Sequence, residues 1–274
     1  MVTSATESML ARETSEKRAK RMVAILDLVD GHEFVRLSEL CETLSISPAT
    51  ARRDVSELAE RKLLVRRHGG ASTPASGREL PVALRDIRFP DAKRAIAREV
   101  VARIPAERYV IALSGGTTTA SVAREVANRR DLAVVTNSLT IAGLLSGSSG
   151  VRVVMTGGFL RPQSLELVGA LAENTFNVVN VDLAVLGADG ITAEAGVTTH
   201  DETEARTNHA MVSKAQRTIV VADGSKVGRP ALAQCCAIQE IAILITDGSA
   251  DPDELQRIRD AGVEVVVVPL PAPA

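Results

Sequence analysis

The apolar residues of this chain repeat with two different periods, and the change between them divides the sequence. Between residues 19 and 58 they recur every three or four positions, which is typical of helices with one buried face. Two short segments on either side of Gly69-Gly70 then predict a hairpin. From residue 92 onward, short apolar runs alternate with helical patterns, and this alternation predicts a mostly parallel sheet covered by helices on both faces.

Periodicity and local composition together predict four segments. Residues 1–15 are rich in Ser, Thr, Glu and Ala and are expected to be flexible. Residues 16–73 hold the predicted helices and hairpin, and Ser38 is expected to cap the second helix. Residues 74–91 contain prolines and little periodicity, which favours a linker. Residues 92–270 are predicted to form a doubly wound α/β domain. The whole chain is therefore placed in the α/β fold class, with a smaller helical domain in front.

Seven strands are predicted in the α/β domain, because each is a short aliphatic run of the kind that buried parallel strands show. They span residues 109–113, 133–136, 151–155, 183–187, 218–222, 241–246 and 263–268. Helices are predicted between most of them, for example over residues 92–103, 118–128 and 202–215. The carboxyl ends of such strands lie along one edge of the sheet, which is where ligands bind.

The third predicted helix of the first domain has the best-defined start. Ser47 is suited to cap it, and Pro48 fits the first helical position. Its apolar residues Ala51, Val55 and Leu58 share one face. The opposite face is therefore left for contacts with another molecule.

Three helices followed by a basic hairpin form the winged arrangement in which the third helix enters the DNA major groove. Arg side chains near the start of that helix can pair with guanine or clamp phosphate. Segment 61–68 adds four basic side chains and no acid, so it can neutralise phosphates. The alternative is a solvated basic hairpin on an ordinary three-helix domain. The predicted DNA contacts are Ser47, Ala49, Thr50, Arg52, Arg53, Ser56, Arg66, Arg67, His68 and Gly69.

Residues 24–71 resemble the DNA-binding domain of the DeoR family of bacterial repressors. Ala51 and Val55 stand where the family usually has Ile and Leu, and both suit a packed face. The resemblance implies a transcriptional regulator whose partner is double-stranded operator DNA. It rests on Leu37-Ser38-Glu39-Leu40, Ser47-Pro48-Ala49-Thr50, Arg52-Arg53-Asp54, Leu58 and Arg67-His68-Gly69-Gly70-Ala71.

Composition narrows the classes of protein that fit. The 274 residues carry a net charge of -2, so any DNA-binding surface has to be a local basic patch. Aromatic residues make up 2% of the chain, which leaves an aliphatic core. The three cysteines fit a reduced intracellular protein, and the adjacent pair Cys235-Cys236 matches no metal motif. With no apolar leader and no membrane-length run, we expect a cytoplasmic protein with no metal, cofactor or membrane partner.

Polar residues gather at the carboxyl ends of the predicted strands. The loop Ser114-Gly115-Gly116-Thr117-Thr118-Thr119 opens a helix, and its glycines and hydroxyls suit an anion at the partly positive helix start. Lys226 can add a point charge to the same anion or contact a sugar oxygen. Asp189, Asp201 and Glu204 can accept hydrogen bonds from sugar hydroxyls. A phosphorylated sugar would satisfy all of these groups.

The resemblance to the DeoR family extends from about residue 17 to 268. It takes in the family's sensor domain, which is similar to ribose-phosphate isomerases and CoA transferases. The supporting segments are 115–119, 134–138, 157–158, 186–191, 199–211 and 222–228. Ser114 stands where Asp is common, and Asn208 where a basic residue is common. The effector contacts that the resemblance implies are Gly116, Thr117, Thr118, Asn137, Gly158, Asp189, Glu204 and Lys226.

These features predict a repressor of carbohydrate-metabolism genes that is controlled by a phosphorylated sugar and acts as a homo-oligomer. Two alternatives remain for the second domain. In one it is an active isomerase-like or CoA-transferase-like enzyme, with Asp189, Glu204 and Lys226 as acid–base groups. In the other it is an interaction module that binds no effector. The sequence leaves open the effector, the operator, repression against activation, and dimer against tetramer.

Overall fold

The computed structural model describes residues 2–30, 32–74 and 79–270. The chain divides into two units, Met1–Arg88 and Phe89–Ala274. This boundary lies inside the segment that the sequence predicts to be a linker. Among the described residues, we find no helix whose length and hydropathy suit a membrane crossing.

The first unit combines helices with a small antiparallel sheet. Within the described residues its strands pair in the order β1-β3-β2, with Ala71 of β3 opposite both Val35 and Arg66. This is the winged helix-turn-helix layout that the sequence predicts. The elements are α1 (Val2–Asp30), β1 (Val35–Arg36), α2 (Leu37–Leu44), α3 (Pro48–Glu60), β2 (Val65–Arg67), β3 (Gly70–Ser72) and α4 (Val82–Ile87).

The helices of the first unit pack around one apolar core. Leu26 of α1 and Leu40 of α2 are fully buried there. Ala51, Val55 and Leu58 of α3 are buried as well, so the predicted apolar face of α3 is confirmed. The other face of α3 remains at the surface.

The turn between β2 and β3 requires glycine at two consecutive positions. Gly69 has a φ of 80°, a conformation that residues with a Cβ rarely adopt. At Gly70 an added Cβ would lie 2.1 Å from the carbonyl oxygen of Val35 on β1. Gly69 therefore allows the turn, and Gly70 allows the hairpin to close against β1.

Helix α1 is drawn from Val2, and the Ala, Glu, Met and Arg residues of its first half favour a helix. One prediction for the first unit is wrong. Ser38 does not cap α2, because the helix begins at Leu37 and Arg36 occupies the cap position without a side-chain hydrogen bond. Strand β1 leads directly into α2, which leaves no turn for a capping serine.

The predicted linker, residues 74–91, is also partly folded. Helix α4 (Val82–Ile87) packs on α1, and its Leu84 is buried in the core of the first unit. The sequence prediction treated the prolines as breaks. Pro81 and Pro90 instead stand at helix starts, where a fixed φ and a missing N–H are tolerated.

The second unit alternates strands and helices. Single turns of 3-10 helix cover Gly224–Lys226 and Ile238–Glu240. Its helices are α5 (Pro90–Val101), α6 (Thr117–Val126), α7 (Leu139–Leu145), α8 (Ala170–Asn177), α9 (Glu202–Val212) and α10 (Pro252–Asp260). Its strands are β4 (Tyr109–Leu113), β5 (Leu132–Thr136), β6 (Val151–Met155), β7 (Phe159–Arg161), β8 (Glu166–Val168), β9 (Val181–Gly187), β10 (Gly190–Thr192), β11 (Gly196–Thr199), β12 (Ala215–Val221), β13 (Ala233–Cys236), β14 (Ile243–Asp247) and β15 (Glu264–Val268).

A seven-stranded parallel sheet forms the centre of this unit, within the residues that the structure describes. Its order is β15-β14-β12-β9-β4-β5-β6, and each of its strands overlaps one of the seven predicted from the sequence. Alternate side chains point to opposite faces. Ile219 and Val221 join one apolar cluster, whereas Val220 joins the other. The predicted doubly wound α/β fold is therefore confirmed.

Two smaller sheets were not predicted. Strands β7 and β8 form a hairpin, and β10, β11 and β13 form an antiparallel sheet. The hairpin is held to the loop after β5 by two backbone bonds, Leu167 N–H to Asn137 O at 2.8 Å and Leu139 N–H to Leu165 O at 3.0 Å. These strands are three or four residues long, too short to give a hydrophobic period.

Candidate functional site

The start of α3 is built as the sequence predicts. Ser47 Oγ accepts a hydrogen bond from the backbone N–H of Thr50 at 3.2 Å, and Pro48 lies in the first turn. Arg52 and Arg53 follow at the surface, and neither has a hydrogen-bond or ion-pair partner among the described residues. Two uncompensated guanidinium groups therefore lie close to the positive end of the helix.

All ten predicted DNA contacts have accessible surface. Thr50 and Ser56 are half-buried, and the others are exposed. They lie on the outer face of α3 and on the β2–β3 hairpin, which we call the wing. In the wing, Arg67 Nε donates to Ser72 Oγ at 3.0 Å, so a hydroxyl orients this guanidinium and leaves its charge uncompensated.

Asp54 has a structural role that the sequence did not reveal. It is 1% exposed and accepts a hydrogen bond from Arg21 Nε of α1 at 2.5 Å. This bond raises the pKa of Arg21 above its ordinary value, although burial partly opposes the shift. One turn later, Glu57 pairs with Arg18 and with Arg61. Asp54 and Glu57 thus anchor α3 to α1, while Arg52 and Arg53 face outward.

The loop after β4 has the shape predicted for an anion site. Gly116 precedes α6 with a φ of 117°, which favours glycine. Thr117 and Thr118 stand in the first turn and are each 8% exposed. Their backbone N–H groups lie at the positive end of the helix, where an anion is stabilised.

Two predicted contact residues have their hydroxyls engaged inside the protein. Ser114 is 1% exposed, and its Oγ accepts the N–H of Gly187 at 2.9 Å, which ties β4 to β9. Thr119 is fully buried, and its Oγ1 donates to Gly116 O at 3.0 Å. Both residues therefore shape the loop from within.

A buried carboxylate lies beneath this loop, and the sequence analysis missed it. Glu166 on β8 is 2% exposed, and a Cβ on Gly115 would lie 2.1 Å from its carboxylate carbon. Asn137, the first residue after β5, donates from Nδ2 to Glu166 Oε2 at 3.1 Å and to Leu167 O at 3.2 Å. Gly158 allows the close approach of the hairpin, since its own Cβ would meet Val168 O at 2.7 Å.

The predicted acids Asp189 and Glu204 meet at one hydroxyl. Thr199 Oγ1 lies 3.1 Å from Asp189 Oδ2 and 2.5 Å from Glu204 Oε1. Lys226 Nζ is 3.9 Å from Asp189 Oδ1. The structure thus brings together three predicted site residues from the β9–β10 connection, the first turn of α9 and the 3-10 turn after β12. Thr199, which joins them, was not singled out from the sequence.

Arg161 of β7 is a second group that the sequence analysis missed. Its Nη1 lies 3.1 Å from Glu204 Oε2, and its Nε lies 3.3 Å from Asp201 Oδ2. Asp201 Oδ1 caps α9 through the N–H groups of Thr203 and Glu204. Burial disfavours the charge on Asp201, but these hydrogen bonds and Arg161 outweigh it and lower its pKa. Both carboxylate oxygens of Asp201 are therefore engaged within the protein.

The cysteines and acids offer no metal site within the described residues, since no group of three or more His, Cys, Asp or Glu converges there. Cys235 and Cys236 are buried in the core. Burial raises the pKa of both thiols, that of Cys236 to about 12. Both thiols are therefore protonated and unreactive at neutral pH.

Two family models match the chain, one in each unit. The DeoR-like helix-turn-helix domain matches residues 21–76. The DeoR C terminal sensor domain matches residues 88–248.

Curated proteins resemble the chain over nearly its whole length. An HTH-type transcriptional regulator GlpR of Haloferax volcanii is 40% identical over 249 residues, covering 90% of this chain and 97% of that protein. A glycerol-3-phosphate regulon repressor of Escherichia coli is 31% identical over 249 residues, covering 91% of this chain and 98% of the other. Among solved structures, ribose 5-phosphate isomerase A of Methanocaldococcus jannaschii has a TM-score of 0.38 and 22% identity, over 50% of this chain and 54% of that one.

Proposed function

The chain belongs to the DeoR family of transcriptional regulators, and we propose that it is a repressor whose operator binding is relieved by a phosphorylated sugar. The observation that carries this proposal is the pairing of an uncompensated basic face on α3 with a polar, anion-suited edge of the parallel sheet. The family match decides against the enzyme alternative, because residues 88–248 match a sensor domain.

The DNA contacts that we propose are the exposed residues of α3 and the wing. Arg52 and Arg53 would read base edges or clamp phosphates in the major groove. Arg66, Arg67 and the wing backbone would follow the adjacent phosphates, which makes the affinity salt-dependent. Two such heads, held by a symmetric homo-oligomer, would match a palindromic operator.

We expect Arg53→Ala to weaken operator binding by about 1–3 kcal/mol, because one guanidinium that pairs with a base edge contributes roughly this much. The measurement is a gel-shift titration on the operator at fixed salt. Arg130→Ala, which removes an exposed arginine from the second unit, serves as the control and should bind like the wild type. Equal affinity of all three proteins would rule out the role given to Arg53.

The effector contacts that we propose are fewer than the sequence suggested. Ser114 and Thr119 are set aside because their buried hydroxyls bond within the protein, Asp201 because it caps α9, and Gly115 because it packs on Glu166. Glu204 is kept, since each of its carboxylate oxygens has one partner in the residues named above and can accept a further hydrogen bond. The remaining set is Gly116, Thr117, Thr118, Asn137, Gly158, Asp189, Glu204 and Lys226.

Charge suggests how a sugar phosphate would lie in this site. The phosphate belongs at the start of α6, where backbone N–H groups and two threonine hydroxyls can donate to it. Asp189 and Glu204 would repel a phosphate, and as acceptors they suit the hydroxyls of the sugar. Lys226, beside Asp189, keeps that region from becoming strongly acidic.

A thermal-shift screen with phosphorylated sugars and polyols tests the proposal directly, because a ligand of the folded state raises its stability with concentration. The name of the Escherichia coli relative makes glycerol 3-phosphate the first compound to try. A compound that raises the melting temperature and also releases operator DNA supports the proposal. If no phosphorylated compound does either, the effector half of the proposal is wrong.

Lys226→Ala is expected to raise the effector concentration needed to release DNA by about tenfold, since one charged hydrogen bond is lost. Operator affinity without effector should not change. The measurement is the effector concentration that gives half-maximal release in a gel shift. Lys214→Ala, which removes an exposed lysine next to β12, is the matched control. If both variants respond like the wild type, the site does not include Lys226.

A further inference from the structure

The side-chain amide of Asn137 is held in one orientation. Its Nδ2 donates to Glu166 Oε2 at 3.1 Å and to Leu167 O at 3.2 Å. A backbone carbonyl can only accept, so the NH2 group has to face Leu167. Both of its hydrogens are then committed, and the carbonyl oxygen Oδ1 is turned the other way.

This leaves Asn137 Oδ1 as an acceptor without a donor among the described residues. Asn137 is fully buried, and a buried carbonyl that accepts no hydrogen bond is costly. Thr156, at the end of the neighbouring strand β6, is 3% exposed and likewise has no partner for its Oγ1 among those residues. Two buried polar atoms thus lack partners among the described residues at the ends of the adjacent strands β5 and β6.

We propose that Asn137 accepts a ligand hydroxyl through Oδ1, which Glu166 and the carbonyl of Leu167 turn toward the ligand by accepting both hydrogens of Nδ2. The inference rests on the proposed function and deepens it. It specifies an ester of phosphate that carries a hydroxyl close to its phosphate end, with the phosphate at the start of α6. A phosphate oxygen cannot take this place, because it would meet the acceptor Oδ1 beside the Glu166 carboxylate.

The same geometry ties binding to a movement of the protein. Since Oδ1 lies below the surface, a ligand hydroxyl reaches it only when the surrounding loops shift. A ligand that binds the shifted arrangement better than the resting one changes the balance between the two. Such a difference is what an effector needs in order to alter the DNA-binding surface of the other unit.

The test compares glycerol 3-phosphate with 3-hydroxypropyl phosphate, an ester of the same carbon chain that lacks only the hydroxyl nearer the phosphate. Calorimetric titration of the full-length wild type should show about a tenfold preference for glycerol 3-phosphate, the value of one lost hydrogen bond. Asn137→Ala removes the acceptor, and we expect this variant to bind both esters with affinities within about threefold of each other.

Two controls separate this effect from net charge and from misfolding. Glu125→Gln removes one acid near the other end of α6, about 12 Å along the helix at 1.5 Å per residue, and should keep the full preference. Glu166→Gln keeps an oxygen that can accept from Asn137 Nδ2 while Leu167 O still holds the amide, so a folded Glu166→Gln protein should also keep the preference.

The outcomes are distinct. The inference is overturned if the wild type binds both esters equally, or if Asn137→Ala keeps the wild-type preference. If neither ester nor inorganic phosphate binds the wild type at millimolar concentration, the proposed function has failed, and the inference fails with it.

Discussion

Arg161→Gln is expected to lower the free energy of unfolding of the second unit by about 2–4 kcal/mol, the range for breaking a mostly buried ion pair. The Arg161 side chain is 11% exposed and neutralises Glu204, which is 8% exposed, together with Asp201. Without the guanidinium, two carboxylates face each other across the space that it filled. Glutamine restores part of the hydrogen bonding and none of the charge.

The measurement is urea denaturation followed by circular dichroism, with the two units fitted as separate transitions. Arg206→Gln is the matched control, because Arg206 pairs with Glu173 while 71% exposed, and such pairs contribute about 0–1 kcal/mol. The pH dependence gives a second readout. Asp201 has a lowered pKa in the folded protein, so its contribution is present above its unfolded value and lost as the pH falls through the folded one.

In Arg161→Gln one of the causes that lowers the pKa of Asp201 is gone. The wild type should therefore lose more stability than the variant when the pH is taken from neutral to below about 4, the unfolded pKa of Asp. Parallel stability curves for the two proteins, or equal losses in Arg161→Gln and Arg206→Gln, would contradict the role of Arg161.

Asp54→Ala is expected to destabilise the first unit by about 2–3 kcal/mol, because a buried carboxylate and its charged hydrogen bond to Arg21 are lost together. Arg21 is 27% exposed and can turn toward water, which keeps the cost below that of a fully buried pair. Helix α3 then loses its anchor on α1, so operator binding should weaken along with stability. Arg53→Ala, in contrast, should weaken binding at unchanged stability.

The control for Asp54→Ala is a substitution one turn further along the same helix. Glu57 is 21% exposed and pairs with Arg18 and Arg61 at the surface, so Glu57→Ala should cost less than about 1 kcal/mol. The melting temperatures of Asp54→Ala, Glu57→Ala and Arg53→Ala are measured beside that of the wild type. Asp54→Ala should have the lowest of them. If Asp54→Ala melts at the temperature of Glu57→Ala, the buried acid is not the anchor of α3.

Much of the fold could be predicted because its main elements have long hydrophobic signals. The strands of the parallel sheet are buried on both faces and appear as aliphatic runs, and α3 has both a cap and a clear period. The hairpin β7–β8 has neither signal, since Phe159 is 79% exposed. Short strands that pair locally are set by tertiary contacts, which a single sequence does not display.

The sequence analysis located the polar loops of the candidate site, but it missed residues that form hydrogen bonds and ion pairs with them. Strand ends located the polar loops, but residue type alone could not tell an available hydroxyl from one that bonds inside, as at Ser114. Arg161 and Glu166 escaped because they lie on the unpredicted hairpin. Arg161 and Glu166 are paired across this hairpin. The signal available in the sequence was a basic and an acidic residue on either side of a short turn that contains proline.

The strand order has a consequence for how the chain is made. Among the strands of the parallel sheet, β4 leaves the ribosome first. Strands β5 and β6 then extend the sheet on one side, and β9, β12, β14 and β15 extend it on the other. Each new strand therefore meets a neighbour that has already been synthesised. The sheet can grow outward from its middle during translation, behind a DNA-binding head that is already free to fold.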